Sequence, residues 1–318
     1  MTSETKNTII GFTLIGVIMF GFTWYQSRQY QKQMEYQAQL DSIARAERLE
    51  AYALDSLNRI ASGDTLDNAA TTVVLSTKPA LKPYKDDNLT KAREAEASVL
   101  TLSNDKMEIA FTTKGAQPYS VKLFDYVKYD SSSLYLIPPQ ASEFNVNVFA
   151  GESVDTKEFV FDVAEVSDSS IVMRLPFAQG GYIQQKYVLS QGSYMVHNEL
   201  SFVGMDSVIP SRVSSVDLNW KTVVPRLEKG YKNEKQYSKI DYYVPGEKSP
   251  EDMGNGKNDS KRLDVKFDWV AFQQQFFSSI LTAPEGFESG EFGVEYFPED
   301  DVDRNLMTCS AHARAGVD

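Results

Sequence analysis

Residues 99–126 read VLTLSNDKMEIAFTTKGAQPYSVKLFDY, and their period sets the fold class. The run predicts a short strand, a turn at Asn104 and Asp105, and a second strand from Met107 to Thr112. A further turn at Gly115 leads to a third strand from Tyr119 to Phe124. The same two-residue alternation returns downstream in SLYLIP, EFNVNVFAG, KEFVFDVAEV, SIVMRLPFA, YIQQKYVLS, YMVHNELSFVG and VSSVDLNWKTVV. Strand lengths and turn spacings suit an antiparallel β-sandwich. No βαβ alternation occurs, which argues against a parallel, doubly wound sheet. After this block, residues 228–262 form a polar excursion with Gly246, Gly254 and Gly256. It is expected to be a long surface loop around one short strand at 240–244.

The chain before residue 99 has a different character. Residues 8–25, TIIGFTLIGVIMFGFTWY, carry no charge and would make a helix of about 27 Å, enough to cross a bilayer core. Trp24 and Tyr25 close the run, where amphipathic rings favour the headgroup layer. No small-x-small cleavage site follows, so a retained anchor is expected over 1–25 rather than a cleaved leader. Lys6 lies before the span and Arg28 and Lys32 after it, so charge hardly orients it. A short tail ahead of a large acidic domain favours a cytoplasmic N-terminus and an exported domain. Residues 26–62 hold neither proline nor glycine, and they predict a polar spacer helix that Gly63 ends. Residues 63–98, with Pro79 and Pro83, read as a linker. The β-domain is expected over 99–308 and an irregular tail over 309–318.

Composition excludes several functions. The 318 residues carry a formal charge of −12 and no basic stripe, which argues against nucleic acid. One cysteine, Cys309, cannot form an internal disulfide or a cysteine-based zinc site. The two histidines, His197 and His312, stand in no recognisable catalytic motif. GNG near Gly254 follows no strand and opens no helix, so no phosphate loop is expected. Neither a cofactor nor a metal is expected.

The stretch DWVAFQQQFFSSIL, residues 268–281, places three glutamines among aromatic residues. Wound as a helix, it brings Trp269, Phe272, Phe276 and Ile280 onto one arc. The first half is therefore expected to be helical, with Asp268 as N-cap, and FFSSILTAP free to straighten into a strand. Gln273 would lie inside the apolar arc and need partners for its amide at a sheet edge. Trp269, Phe272, Gln273, Gln275, Phe276 and Phe277 form a candidate segment for packing or partner contact. Packing is the leading reading.

The order of these parts resembles the N-terminal half of the YidC family of bacterial membrane protein insertases, of the Oxa group. Four segments carry the likeness: NTIIGFTLIGVIMFGF, LSNDKMEIAFTTKGAQPYSVKLFDY, GGYIQQKYVLSQGSYMVHNELSF and WVAFQQQFFSSILTAP. The last has Phe276 where the family usually has tyrosine. The long polar segment after the anchor resembles the Bacteroidetes branch. The resemblance implies an uncleaved first helix in the inner membrane with its N-terminus inside. It also implies a periplasmic β-supersandwich similar to galactose mutarotase. The implied role is assistance to nascent membrane proteins, with or without the Sec translocon and without a chemical reaction. The family's insertase core is a further bundle of transmembrane helices. No second apolar run of about 20 residues follows Ile280 here, so a fragment or a broken reading frame near the end is expected.

Two other readings compete. A membrane-anchored carbohydrate-binding or mutarotase-like protein would use a histidine and a carboxylate, and His197 and Glu199 would share one strand face. A periplasmic spacer or adhesion module would need neither.

Overall fold

In a computed structural model, which describes residues 84–210 and 213–317, the alternating runs become antiparallel strands joined by tight turns. The anchor, the spacer helix and the linker up to residue 83 lie outside the described residues. Among the described residues no helix is long and apolar enough to cross a membrane. The fold is mainly β, as expected, and is built from four antiparallel sheets.

The first sheet is a meander of β1 (Val99–Ser103), β2 (Met107–Thr112), β3 (Gln117–Val127) and β4 (Ser133–Ile137). Asn104 makes its first turn. The side-chain oxygen accepts from the N–H groups of Lys106 at 2.8 Å and Met107 at 2.9 Å. Its amide nitrogen donates to the carbonyls of Ser190 at 2.7 Å and Ser193 at 2.8 Å, which ties this meander to the next. That second meander runs through β7 (Asp162–Val166), β8 (Ser170–Pro176), β9 (Tyr182–Leu189) and β10 (Val196–Val203). β9 alternates strictly, with Ile183, Gln185, Tyr187 and Leu189 buried. Tyr187 satisfies its hydroxyl on the carbonyl of Ala116 at 2.8 Å, and Gln185 accepts from Asn198 at 2.8 Å.

The third sheet has six strands. β5 (Ser142–Phe149) and β6 (Ser153–Asp155) lie beside β11 (Ser215–Pro225). Then come β18 (Asn305–Gly316), β17 (Ser289–Tyr296) and β14 (Asp259–Leu263). The fourth sheet has the order β13 (Glu251–Met253), β12 (Lys239–Tyr243), β15 (Phe267–Gln273) and β16 (Ser278–Phe287). Two cores result. Leu102, Phe111, Tyr187, Ile171 and Met173 of the meanders share one with Val146, Val148 and Val216 of the six-stranded sheet. Trp220, Phe292, Cys309 and Ala311 of the six-stranded sheet share the other with Ile240, Val270 and Phe272 of the fourth.

Four expectations need correction. The stretch read as linker up to residue 98 contains α1 (Asp87–Glu94). Asp86 caps it by accepting from the N–H groups of Asn88 and Leu89, and Leu89 is fully buried in the first core. The tail read as irregular from residue 309 is most of β18, which pairs with β11 on one side and β17 on the other. Its inward residues, Met307, Cys309, Ala311 and Ala313, are mostly too small to announce a strand, yet all are buried. The polar excursion also holds more structure than one strand, including α2 (Tyr231–Tyr237) and the edge strands β13 and β14.

The fourth correction concerns residues 268–281, which form a β-hairpin and not a helix. β15 and β16 pair from Gln273 opposite Ser278 to Trp269 opposite Thr282, and the Gln274 N–H closes the turn on the Phe277 carbonyl at 2.7 Å. β15 is buried at Phe267, Val270, Ala271 and Phe272, so sheet packing overrides the helical spacing of the aromatics. The helical arc is split as a result. Phe272 is 2 % exposed, whereas Phe276 is 68 % and Ile280 61 % exposed.

Candidate partner-contact surface

The hairpin divides the sequence-selected segment into inner and outer members. Phe272 stacks on Trp220 with ring centroids 3.8 Å apart and an interplanar angle of 18°. Half-buried Trp269 lies parallel to Tyr243 at 6.3 Å. Phe277 meets the ring of Tyr126 edge-on at 5.2 Å and packs against the first core, whereas Phe272 belongs to the second. The turn therefore joins the two halves of the sandwich. The buried glutamine is Gln274, one residue beyond the expected Gln273. Its amide donates to the carbonyl of Pro225, at the end of β11, at 2.9 Å. A strand-end carbonyl is the kind of partner such an amide requires. Gln273 and Gln275 are half-buried.

Outside, the turn presents Phe276, and beside Phe277 stands the exposed ring of Tyr126. Next to Tyr126, Asp125 takes hydrogen bonds from Lys106 at 3.0 Å and from the Tyr194 hydroxyl at 2.9 Å. The Lys106 hydrogen bond, followed by that of Tyr194, holds the Asp125 carboxyl below its usual range. Desolvation, followed by the Asp125 hydrogen bond, pushes the Tyr194 hydroxyl up to about 12. Exposed Met195 follows Tyr194. The arrangement sets exposed apolar and aromatic side chains beside the Lys106–Asp125 ion pair.

A polar concavity of about 370 Å³ lies on the six-stranded sheet. Cross-strand register builds it. Asn219 of β11 stands opposite His312 of β18, which stands opposite Glu291 of β17, which stands opposite Arg262 of β14. In the neighbouring row, Asp217 faces Arg314 and binds its guanidinium at 3.0 Å. His312 shares a hydrogen bond with Asn219, and Arg262 pairs with Asp264 at 2.9 Å. Sequence reasoning missed this cleft, because residues nearly a hundred positions apart meet only through register. Its one local signal is the polar alternation of Asp217, Asn219 and Lys221. His197 and Glu199, the pair selected for carbohydrate chemistry, are exposed on β10 and line no part of it. Among the described residues no cluster of side chains could hold a metal ion.

A family model described as the YidC periplasmic domain matches residues 99–308. Proteins named membrane protein insertase YidC align along most of the chain. That of Parabacteroides distasonis is 28% identical over 313 residues, covering 96% of this chain and 48% of its own. That of Porphyromonas gingivalis is 32% identical over 296 residues, covering 90% and 45%. The chain thus spans about half the length of the curated relatives it matches. Among solved structures, a galactose mutarotase-like protein from Lactobacillus casei aligns at a TM-score of 0.38 and 12% identity, over 68% of this chain and 87% of that one. A putative aldose 1-epimerase from Escherichia coli gives 0.32 and 9%, over 70% and 100%. Matched from the first residue of β1 into β18, the chain belongs to the family of the YidC periplasmic domain.

Proposed function

We propose that this chain is the membrane-anchored periplasmic part of an insertase that helps inner-membrane proteins enter and fold, beside the Sec translocon or without it. The observation that carries the reading is continuous similarity, 32% over 296 residues, to a protein named as a membrane protein insertase. The uncharged run at 8–25 supports a single span with its N-terminus in the cytoplasm. The β-domain then works as a chaperone or scaffold for client chains and performs no chemical step. The hairpin segment with Trp269, Phe272, Gln273, Gln275, Phe276 and Phe277 is the contact candidate. Phe276 supplies exposed surface, and Phe272 and Gln274 hold it in place.

The test joins this chain to the remaining half of the Porphyromonas gingivalis relative and compares the chimera with that half alone. The resident insertase is depleted and insertion of a membrane-protein reporter is read by protease protection. The reading requires more insertion from the chimera, and equal insertion defeats it. An alkaline phosphatase fused after Val317 checks the topology, since the enzyme gains activity only on the periplasmic side.

A further inference from the structure

β16 is the outermost strand of its sheet, with β15 on one side and, among the described residues, no strand on the other. A bare edge presents a row of unpaired N–H and C=O groups and invites strand addition, so proteins guard such edges with charge, brevity, bulges or proline. The other edges here are guarded. β6 and β13 have three residues each, and β7 carries Asp162 and Glu165 at a register shift. β10 carries His197 and Glu199, and β14 carries Asp259, Lys261 and Arg262. Uncharged β1 and β4 are five residues long, and β4 buries Leu134 and Ile137 and breaks register with β3. β16 has ten residues and no charge before Glu285, and Pro284 is its first guard. Residues 278–283 are therefore an open edge about 20 Å long. Ser278, Ile280 and Thr282 face outward, Phe276 stands at one end, and half-buried Leu281 and Ala283 pack on the second core.

We infer that β16 receives an extended, uncharged segment of a client membrane protein as a further strand of its sheet. The edge chemistry names the occupant. Alternating main-chain donors and acceptors are satisfied by another extended backbone, and lipid tails offer neither. Exposed Ile280 and Phe276 favour apolar residues at alternate positions of the guest. A second copy of this chain is disfavoured, because each copy carries a formal charge of −12. That the guest is a client rests on the insertase reading; that it is an extended strand does not.

The experiment uses the full chain in lipid nanodiscs and a fluorescent peptide of alternating valine and threonine. Binding is followed by anisotropy, and the peptide's site by hydrogen exchange. The expected results are slowed exchange at 278–283 and binding weakened by roughly tenfold or more in Ile280→Lys or with the alternately N-methylated peptide. The melting temperature of Ile280→Lys should stay that of the parent, since the side chain is exposed. Protection elsewhere, or indifference to N-methylation, overturns the inference. So does self-association of the parent chain that Ile280→Lys abolishes, which would make a second copy the occupant. A photo-crosslinker at Phe276, used in cells, separates the two levels. Peptide binding without crosslinks to newly made membrane proteins overturns the client as guest and leaves the edge as a strand acceptor.

Discussion

Replacing Phe272 and Phe276 by alanine, one at a time, tests the hairpin directly. A helix would put both rings on one arc and make the two losses similar. In the hairpin Phe272 is 2 % exposed and stacked on Trp220, while Phe276 is 68 % exposed. A buried Phe removes roughly 150–250 Å² from water, which at about 25 cal/mol per Å² amounts to some 4–6 kcal/mol. Phe-to-Ala substitutions in cores typically cost about 3–5 kcal/mol, in line with that figure after partial relaxation. For a domain of this size that corresponds to a fall in Tm of about 6–20 °C. Phe276→Ala should stay within about 0.5 kcal/mol of the parent. Thermal and urea unfolding of the detergent-solubilised chain, followed by circular dichroism, measures both. Fluorescence adds a local readout, because Trp220 loses its stacking partner only in Phe272→Ala. Equal losses in the two variants, or a larger one for Phe276→Ala, would refute the placement of this segment.

Three further outcomes follow from buried groups and a tight turn. Burial pushes the Glu234 carboxyl above its usual range, against hydrogen bonds from the N–H groups of Leu227 and Glu228. Its stabilising contribution is thus present below the unfolded pKa and lost as pH rises through the folded one. The Tm of the parent should fall relative to Glu234→Gln as pH rises above the ordinary carboxylate range, and parallel curves would contradict this. Cys309 is fully buried and burial raises its thiol pKa, so maleimide should label it only as the domain unfolds. Full labelling of the folded chain would place β18 wrongly. Gly181 has φ +79°, and a Cβ there would lie 2.4 Å from the Gly204 carbonyl oxygen, whereas Gly151, at φ +75°, faces open space. Gly151→Ala should cost about 1–2 kcal/mol for its backbone alone, and Gly181→Ala measurably more in the same urea titration.

The sequence is legible where one face of a strand is wet. β9 alternates buried and half-buried residues without a break, and β2 and β8 follow the same two-residue rhythm closely enough to be read. It is opaque where a strand is covered on both sides. β15 shows apolar residues at consecutive positions, a pattern that periodicity cannot assign, and its turn uses Gln275 and Phe276 instead of the Asn-Gly or Asp-Gly pairs that announce a hairpin. β18 is hidden because alanine and cysteine fill a core without raising strand propensity. α1 is short and polar, and Asp86 is its one clear signal. The aromatic members of the candidate surface were visible as residue types. The free edge of β16 was not, since being an edge is a property of the sheet order and not of the strand.

β18 lies between β17 and β11, and Asp217 binds Arg314 across 97 positions of chain. On the ribosome, at about 5–20 residues per second, β11 would wait roughly 5–20 s for the strand that completes its sheet. Through that interval the side of β11 destined for β18 stays bare, beside a Trp220 without its final neighbours. Closing so long a loop is also entropically slow. The second half of this domain is therefore a late folder, and a ribosome stalled between residues 226 and 304 would leave it protease-sensitive.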